Sequence, residues 1–164
     1  SDFAVSWPNA QNILQPTSTF TIMSYAEVEF ILAEAVERGW IPGNASEHYN
    51  RAITASMEQW GITDPSAISN YLTQEEVVYD TSDPIKSIGN QKWISLYMQG
   101  VQSWCEWRRL QIPELDIAKD AVIAAIPRRR GYPPSEINLN KSNYEAAVAR
   151  QGTDNLLTRV WWDK

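Results

Sequence analysis

His48 and Cys105 are each the only residue of their type in this sequence, and enzymes use both side chains as a base or a nucleophile. His48 is the only histidine, so any relay that needs an imidazole base must form around it. It lies in the first turn of a predicted helix beside Tyr49, a position typical of a solvated or packing histidine. Cys105 is the only cysteine and lies on an apolar helix stripe, where a thiol behaves as a small hydrophobe. No Cys-x-x-Cys or His/Cys cluster with zinc-ligand spacing occurs.

The carboxylates and glycines likewise indicate no catalytic or cofactor site. A glycosidase needs two carboxylates about 5 to 9 Å apart across a cleft. Glu27 and Glu34 share one predicted helix face, but Glu27 is the acid of a capping box and Glu34 is expected to pair with an arginine. None of the seven glycines has phosphate-loop spacing. We predict no catalytic, cofactor-binding or metal-binding residues, and a protein that is not an enzyme.

Two arginine clusters have more than one interpretation. The pair at 108–109 ends a predicted helix, where cations complement the helix dipole. The run 128–130 lies in predicted coil, where it either clamps acidic groups or ties the coil to the helices. Twenty acidic residues are available, so structural ion pairs are favoured.

Eight tryptophans are unusual in 164 residues. The indole ring fills cores, and it also stacks on the flat apolar faces of sugar rings. Four of them lie on predicted helix faces or close a turn and are expected in the core: Trp40, Trp60, Trp93 and Trp104. Trp7, before Pro8, and Tyr79, in a polar loop, are freer to face outward. These two are our candidate ligand-binding residues.

The composition is that of a soluble globular protein, with 43% hydrophobic and 21% charged residues. A net charge of -6 argues against nucleic acid or an anionic membrane as the main partner. No apolar run reaches the ~18 residues of a membrane span, and the first residues do not resemble a signal peptide. We expect either a cytosolic protein or a processed or partial chain.

The hydrophobic pattern predicts a mainly α fold, in which a tetratricopeptide-like helical hairpin is accompanied by a long helix and extensive coil. Residues 1–20 have no period and are expected to form an extended arm, followed by a helical domain over 21–164. Ser24 caps a helix over 24–38 with Tyr25, Val28, Leu32 and Ala35 on its repeating face. Asn44 starts the second helix, which presents Tyr49, Ala52 and Ile53 and ends before Gly61. The short turn between them makes the helices antiparallel, and alanines allow close approach.

Beyond the hairpin, Asp64-Pro65 starts a short helix to Leu72, and Asp83-Pro84 starts a long one to about Arg109. Gly100 is expected to kink or split that long helix. Prolines between 112 and 140 predict mostly coil, and a last helix is expected over 143–150.

Several motifs in this order resemble the C-terminal portion of the SusD/RagB family of Bacteroidetes outer-membrane lipoproteins. They include MSYAEVEFILAEA at 23–35, RGW at 38–40, the helix at 45–60, QKWISLY at 91–97, WCEWRR at 104–109, IPR at 126–128, YPPSE at 132–136 with Asn140, and WWD at 161–163. The resemblance implies a mainly helical, SusD-like fold with tetratricopeptide-like hairpins. It also implies that the chain is a C-terminal fragment, since the family's lipobox cysteine and most of its helical repeats are missing.

The resemblance implies a nutrient-binding protein of an outer-membrane uptake system. Such a protein captures oligosaccharide or polysaccharide at the cell surface for a SusC-like TonB-dependent transporter, and a lipid anchor on the missing N-terminal part holds it there. Its partners would be the glycan, the transporter and the remainder of its own polypeptide. The alternative is a tetratricopeptide-like interaction scaffold that docks to the transporter without binding glycan.

Overall fold

The structure, a computed structural model, describes residues 7, 8 and 10–163. Across these residues the secondary structure is helical, without a β-strand, which confirms the mainly α prediction. The helices are α1 (Ala10–Ile13), α2 (Tyr25–Glu37), α3 (Ala45–Gln59), α4 (Pro65–Leu72), α5 (Pro84–Ser95), α6 (Gly100–Leu110), α7 (Pro134–Leu139) and α8 (Lys141–Gln151). The chain divides into two compact units, Ser1–Gln99 and Gly100–Lys164.

The predicted hairpin is present in the first unit and is bounded by the expected caps. The Ser24 hydroxyl oxygen accepts a hydrogen bond from the Glu27 backbone N–H at 3.0 Å and starts α2. The Asn44 side chain accepts bonds from the first-turn amides of α3, at 3.1 Å from Ser46. After Trp60 the chain turns at Gly61, whose φ of +88° is in the left-handed region that favours glycine.

The hairpin core lies between α2 and α3. Ala33 and Ala52 are fully buried, as their small side chains predicted. The rings of Phe30 and Tyr49 meet edge to face at 6.1 Å, and the Tyr49 hydroxyl donates to the Val77 carbonyl at 2.5 Å. Helix α5 packs against both helices of the hairpin, and α4 packs against α3.

The predicted face of α2 is wrong, whereas that of α3 is confirmed. In α2 the buried side chains are Ala26, Glu29, Phe30, Ala33 and Glu34. Tyr25 and Val28 are exposed, and Leu32 and Ala35 are half-buried. The prediction fails because two of the buried residues, Glu29 and Glu34, are glutamates, and hydrophobic periodicity assigns charged residues to the solvent side.

The predicted long helix is split, as the glycine indicated. Helix α5 ends at Ser95, and α6 begins at Gly100. Between them Met98 adopts a left-handed conformation with φ of 66°. Tyr97 and Val101, on either side of Gly100, are exposed.

The unit Gly100–Lys164 contains α6, α7 and α8; a long irregular segment joins α6 to α7, and Asn140 alone separates α7 from α8. The last helix is two residues longer at its start than predicted and ends before Gly152, as expected. Helix α7 was not predicted, because the prolines in this region favoured coil. Pro134 occupies its first position, where the missing N–H costs no helical hydrogen bond.

The predicted arm lies partly outside the described residues, since 1–6 and 9 are not among them. Within the rest of it, α1 forms one helical turn. The polar stretch 15–21 then borders the C-terminal end of α3, where it helps to form a cavity.

Candidate functional site

Two cavities of the first unit border the same indole ring, that of Trp60. This residue follows the last turn of α3 and is half-buried, with its ring edge to face with Tyr97 at 5.2 Å. We expected Trp60 in the core because it continues the buried face of α3. Its place directly before Gly61, at the helix end, is the signal that it lies instead where loops meet the helix.

The first cavity, of about 460 Å³, is lined by hydroxyl and amide side chains. These are Gln15, Thr17, Ser18, Thr19, Thr21 and Gln59, with Trp60 as the aromatic member. The volume is within the usual range for small-molecule sites. A hydroxyl-rich wall beside an indole offers both polar bonds and an apolar surface.

The second cavity, of about 300 Å³, is mainly apolar. Four aromatic rings line it, from Phe30, Trp60, Tyr71 and Tyr97, together with Ile53, Met57, Ile62 and Ile94. Its polar members are Ser56 and Gln91. The Tyr71 hydroxyl donates to Gln91 Oε1 at 3.0 Å.

Neither of the predicted ligand-binding residues lines these cavities. Trp7 is 74% exposed. Tyr79 is half-buried, with its ring 5.0 Å from the Tyr49 ring and its hydroxyl donating to Glu37 Oε1 at 2.5 Å. Burial and the bond to Glu37 raise the pKa of Tyr79 above its ordinary value, so its hydroxyl remains a hydrogen-bond donor further into the alkaline range.

The expected core position of Trp40 is wrong, since this side chain is 72% exposed. The hairpin turn projects past the packed helix faces, and the indole lies beside the Arg38 guanidinium at 5.5 Å.

Trp93 and Trp104 are half-buried, and Trp107 is buried. The indole N–H of Trp104 donates to the Pro127 carbonyl at 3.0 Å.

The single histidine belongs to a polar cluster between α2 and α3. His48 Nδ1 lies 2.6 Å from Glu29 Oε2, and Arg51 Nε donates to the same oxygen at 3.2 Å. Burial by itself would raise the pKa of the Glu29 carboxyl. Hydrogen bonds from Tyr25, His48 and Arg51 outweigh burial and hold that pKa below its ordinary value. The cluster therefore joins the two helices as an ion-paired contact.

The predicted arginine partner of Glu34 is Arg38, whose Nε donates to Glu34 Oε1 at 2.7 Å. Among the described residues, no group of three or more His, Cys, Asp or Glu side chains has the arrangement of a metal site.

The other arginines form structural contacts in the second unit, as favoured from the sequence. Arg128 Nη1 donates to Asp163 Oδ1 at 3.1 Å, and Arg129 pairs with Asp154 at 3.4 Å. Arg108 lies between two indoles, 4.4 Å from the Trp104 ring and 4.2 Å from the Trp162 ring. The Arg108–Trp162 contact joins the C-terminal segment to α6, whereas the ion pairs of Arg128 and Arg129 join irregular segments to one another.

Comparisons with known proteins agree with the motifs in the sequence. The SusD-like family model described as "Starch-binding associating with outer membrane" matches residues 2–133. No curated protein matches the sequence. Within the described residues, no helix combines the length and apolar character needed to span a membrane.

Three solved structures illustrate the similarity. A SusD-like protein of Bacteroidetes, AC2a, is 30% identical with a TM-score of 0.80, over 87% of this chain and 30% of its own. A SusD homologue from Bacteroides fragilis is 32% identical with a TM-score of 0.76, over 88% of this chain and 35% of its own. A chitin-binding SusD homologue from Flavobacterium johnsoniae is 28% identical with a TM-score of 0.73, over 87% of this chain and 36% of its own.

This chain thus spans about a third of the length of each of these structures. The family and relative names describe binding proteins and not enzymes, in agreement with the prediction from the sequence. With most of its length matched by the family model and its helices matching those of solved members, the chain belongs to the SusD-like family.

Proposed function

We propose that this chain is part of a surface protein that binds oligosaccharide, and that the polar cavity beside Trp60 takes a sugar unit. The observation that carries the proposal is the pairing of one indole with six hydroxyl or amide side chains around about 460 Å³. The family description and a chitin-binding relative support glycan as the ligand class.

The physical argument follows from how sugars compete with water. Sugar hydroxyls hydrogen-bond equally well to water, so they contribute orientation more than affinity. The apolar face of a pyranose loses water when it stacks on an aromatic ring. Trp60 offers that ring, while Thr17, Thr19 and Gln59 offer donors and acceptors around it.

The whole protein would act in nutrient uptake at the outer membrane, handing oligosaccharide to a SusC-like TonB-dependent transporter. The lipid anchor implied by the family resemblance stays a prediction. Trp7 and Tyr79 stay candidate contacts for further sugar units. Trp7 has the more accessible ring of the two.

Native affinity electrophoresis tests the proposal directly. The 164-residue chain is run through gels containing soluble starch or glycol chitin, and its retardation is compared with gels without polysaccharide. We expect retardation of the wild-type chain, and Trp60→Ala should weaken binding at least about tenfold through loss of the stacking surface.

Trp40→Ala is the matched control, because it removes an exposed indole that lines neither cavity. Trp60→Phe keeps an aromatic ring and should retain part of the binding. If neither polysaccharide retards the chain, or if both alanine variants bind like the wild type, the Trp60 cavity is not the glycan site. Loss of binding in Trp7→Ala or Tyr79→Ala alone would place the site at those residues instead.

A second function, docking to the transporter as a scaffold, is favoured by the outer face of α2. Tyr25, Val28 and Ile31 are exposed at helical spacing there. A contiguous apolar patch on a protein surface is typical of a protein-interaction site. Capture of a purified transporter by the chain in the absence of glycan, weakened by Ile31→Glu, would support this alternative.

A further inference from the structure

The apolar cavity next to Trp60 has features that a sugar alone does not need. Four aromatic rings line its volume of about 300 Å³. An apolar cavity of about 150 Å³ is enough to hold benzene, so this one has room for a substituted ring. Aromatic walls provide edge-to-face and offset partners for another aromatic ring.

Of the two polar members of the cavity lining, Ser56 and Gln91, the longer Gln91 can orient a ligand. Gln91 is 6% exposed, and its Oε1 accepts the hydrogen bond from Tyr71. The Gln91 amide group also carries two N–H donors on its nitrogen. An acceptor on a ligand in the cavity can receive a hydrogen bond from them.

The absence of charged residues in the lining indicates whether the ligand is charged. The residues around the cavity carry no ionisable acid or base that is charged at pH 7. A charged ligand would lose its hydration without compensation there, so the occupant is neutral. The features together describe a neutral aromatic ring with a carbonyl acceptor.

We propose that the apolar cavity binds an aromatic acyl group, such as the benzoyl-type ester of a sugar. Because Trp60 borders both cavities, such a ligand places its ring in the apolar cavity and its sugar in the polar one. That the acyl group is attached to a sugar rests on the proposed function. That the apolar cavity binds an aromatic ester does not depend on it.

Isothermal titration of the 164-residue chain with three probes tests this proposal. Methyl benzoate carries the ring and carbonyl without sugar, methyl β-D-glucopyranoside carries the sugar alone, and its 6-O-benzoyl ester carries both. We expect methyl benzoate to bind, and the benzoyl ester to bind about tenfold or more tightly than the unsubstituted glucoside, through burial of the ring.

Two variants connect the binding to this cavity. Ser56→Phe places a ring in the cavity from the half-buried α3 surface and should abolish methyl benzoate binding. Gln91→Leu should weaken methyl benzoate binding about fivefold by removing the amide donor. Ser95→Ala is its control, since it removes a buried polar group of the same helix that lines neither cavity, and should bind like the wild type. Thermal unfolding confirms that each variant is folded.

The outcomes separate this inference from the proposed function. If methyl benzoate does not bind, or binds equally to the folded Ser56→Phe chain, the aromatic site is overturned, whatever the polysaccharide gels show. If Ser56→Phe does not fold, weaker binding of methyl benzoate by Gln91→Leu but not by Ser95→Ala supports the site, and equal binding by both variants overturns it. Binding of methyl benzoate without any glycan retardation would leave the aromatic site in place and reject the sugar-binding proposal.

Discussion

Glu29 is a buried carboxylate, and two of its three hydrogen-bond partners come from the neighbouring helix. Its side chain accepts hydrogen bonds from His48 and Arg51 of α3, 19 and 22 residues further along the chain. Sequence periodicity cannot predict such a residue, because it assigns a glutamate to solvent unless the partner is known. This buried acid also explains why the predicted face of α2 was wrong.

Glu29 should make stability depend on acid pH. Its pKa in the folded chain lies below the ordinary value of 4.5, so its ionised form stabilises the fold. That contribution is complete above the unfolded-state pKa and is lost as pH falls through the lower folded-state pKa. We expect Glu29→Gln to reduce the free energy of unfolding at pH 7 by about 2 kcal/mol and to flatten its decline below pH 4.5.

Urea unfolding at pH 7 and at several values between pH 5 and 3 measures both effects. Glu58→Gln is the control, since Glu58 is an exposed glutamate of α3. A Glu29→Gln chain whose stability declines with acid as steeply as that of the wild type would contradict the assignment.

At the scale of helices, the ends were easier to predict than the faces. Ser24, Asn44, Asp64 and Asp83 each cap the helix that the sequence assigned to them. Caps depend on residues a few positions apart, so a local pattern is sufficient. Which face is buried depends on the neighbouring helix, and the outward position of Trp40 depends on where the turn projects.

The break between α5 and α6 provides a test at this scale. Met98 holds a φ of 66°, which costs a non-glycine residue roughly 1 kcal/mol or more. Its side chain is mostly exposed, so little packing depends on it. We expect Met98→Gly to raise the free energy of unfolding by about 0.5 to 1 kcal/mol, measured by urea unfolding.

Gln111 is the contrasting position, with a φ of 61°. Its side-chain amide donates to the Arg108 carbonyl at 2.9 Å and its carbonyl accepts from Arg128. Gln111→Gly should therefore gain nothing or lose stability. If Met98→Gly and Gln111→Gly raised the free energy of unfolding equally, backbone conformation alone would decide the change in stability.

At the scale of the whole chain, the sequence predicted the family and the hairpin but not the cavity. The motifs are local and retain their order, so they identify the fold. The Trp60 cavity combines residues 15–21 with the end of α3, about 40 positions away. Local patterns carry no information about that juxtaposition, and Trp60 was therefore assigned to the core.

The C-terminal end of the described chain offers the last prediction. The Asp163 side chain is fully buried, with Arg128 at 3.1 Å and Arg159 at 3.6 Å from its Oδ1. Removing one partner of a buried pair leaves charge uncompensated, which costs about 3 to 5 kcal/mol. The neighbouring Trp162 ring also covers Arg108.

We expect Asp163→Asn to destabilise the unit Gly100–Lys164 by about 3 kcal/mol. Hydrogen exchange read by mass spectrometry should then show faster exchange in α6 and around 128–130, with α2 and α3 as internal references. Glu145→Gln is the matched control, because its partner Lys141 lies 3.7 Å away at the exposed surface of α8. Such a pair contributes under about 1 kcal/mol, so exchange in this control should match the wild type. If Asp163→Asn also matches the wild type, the buried ion pair does not hold the C-terminal segment, and stacking of Trp162 on Arg108 is the contact that does.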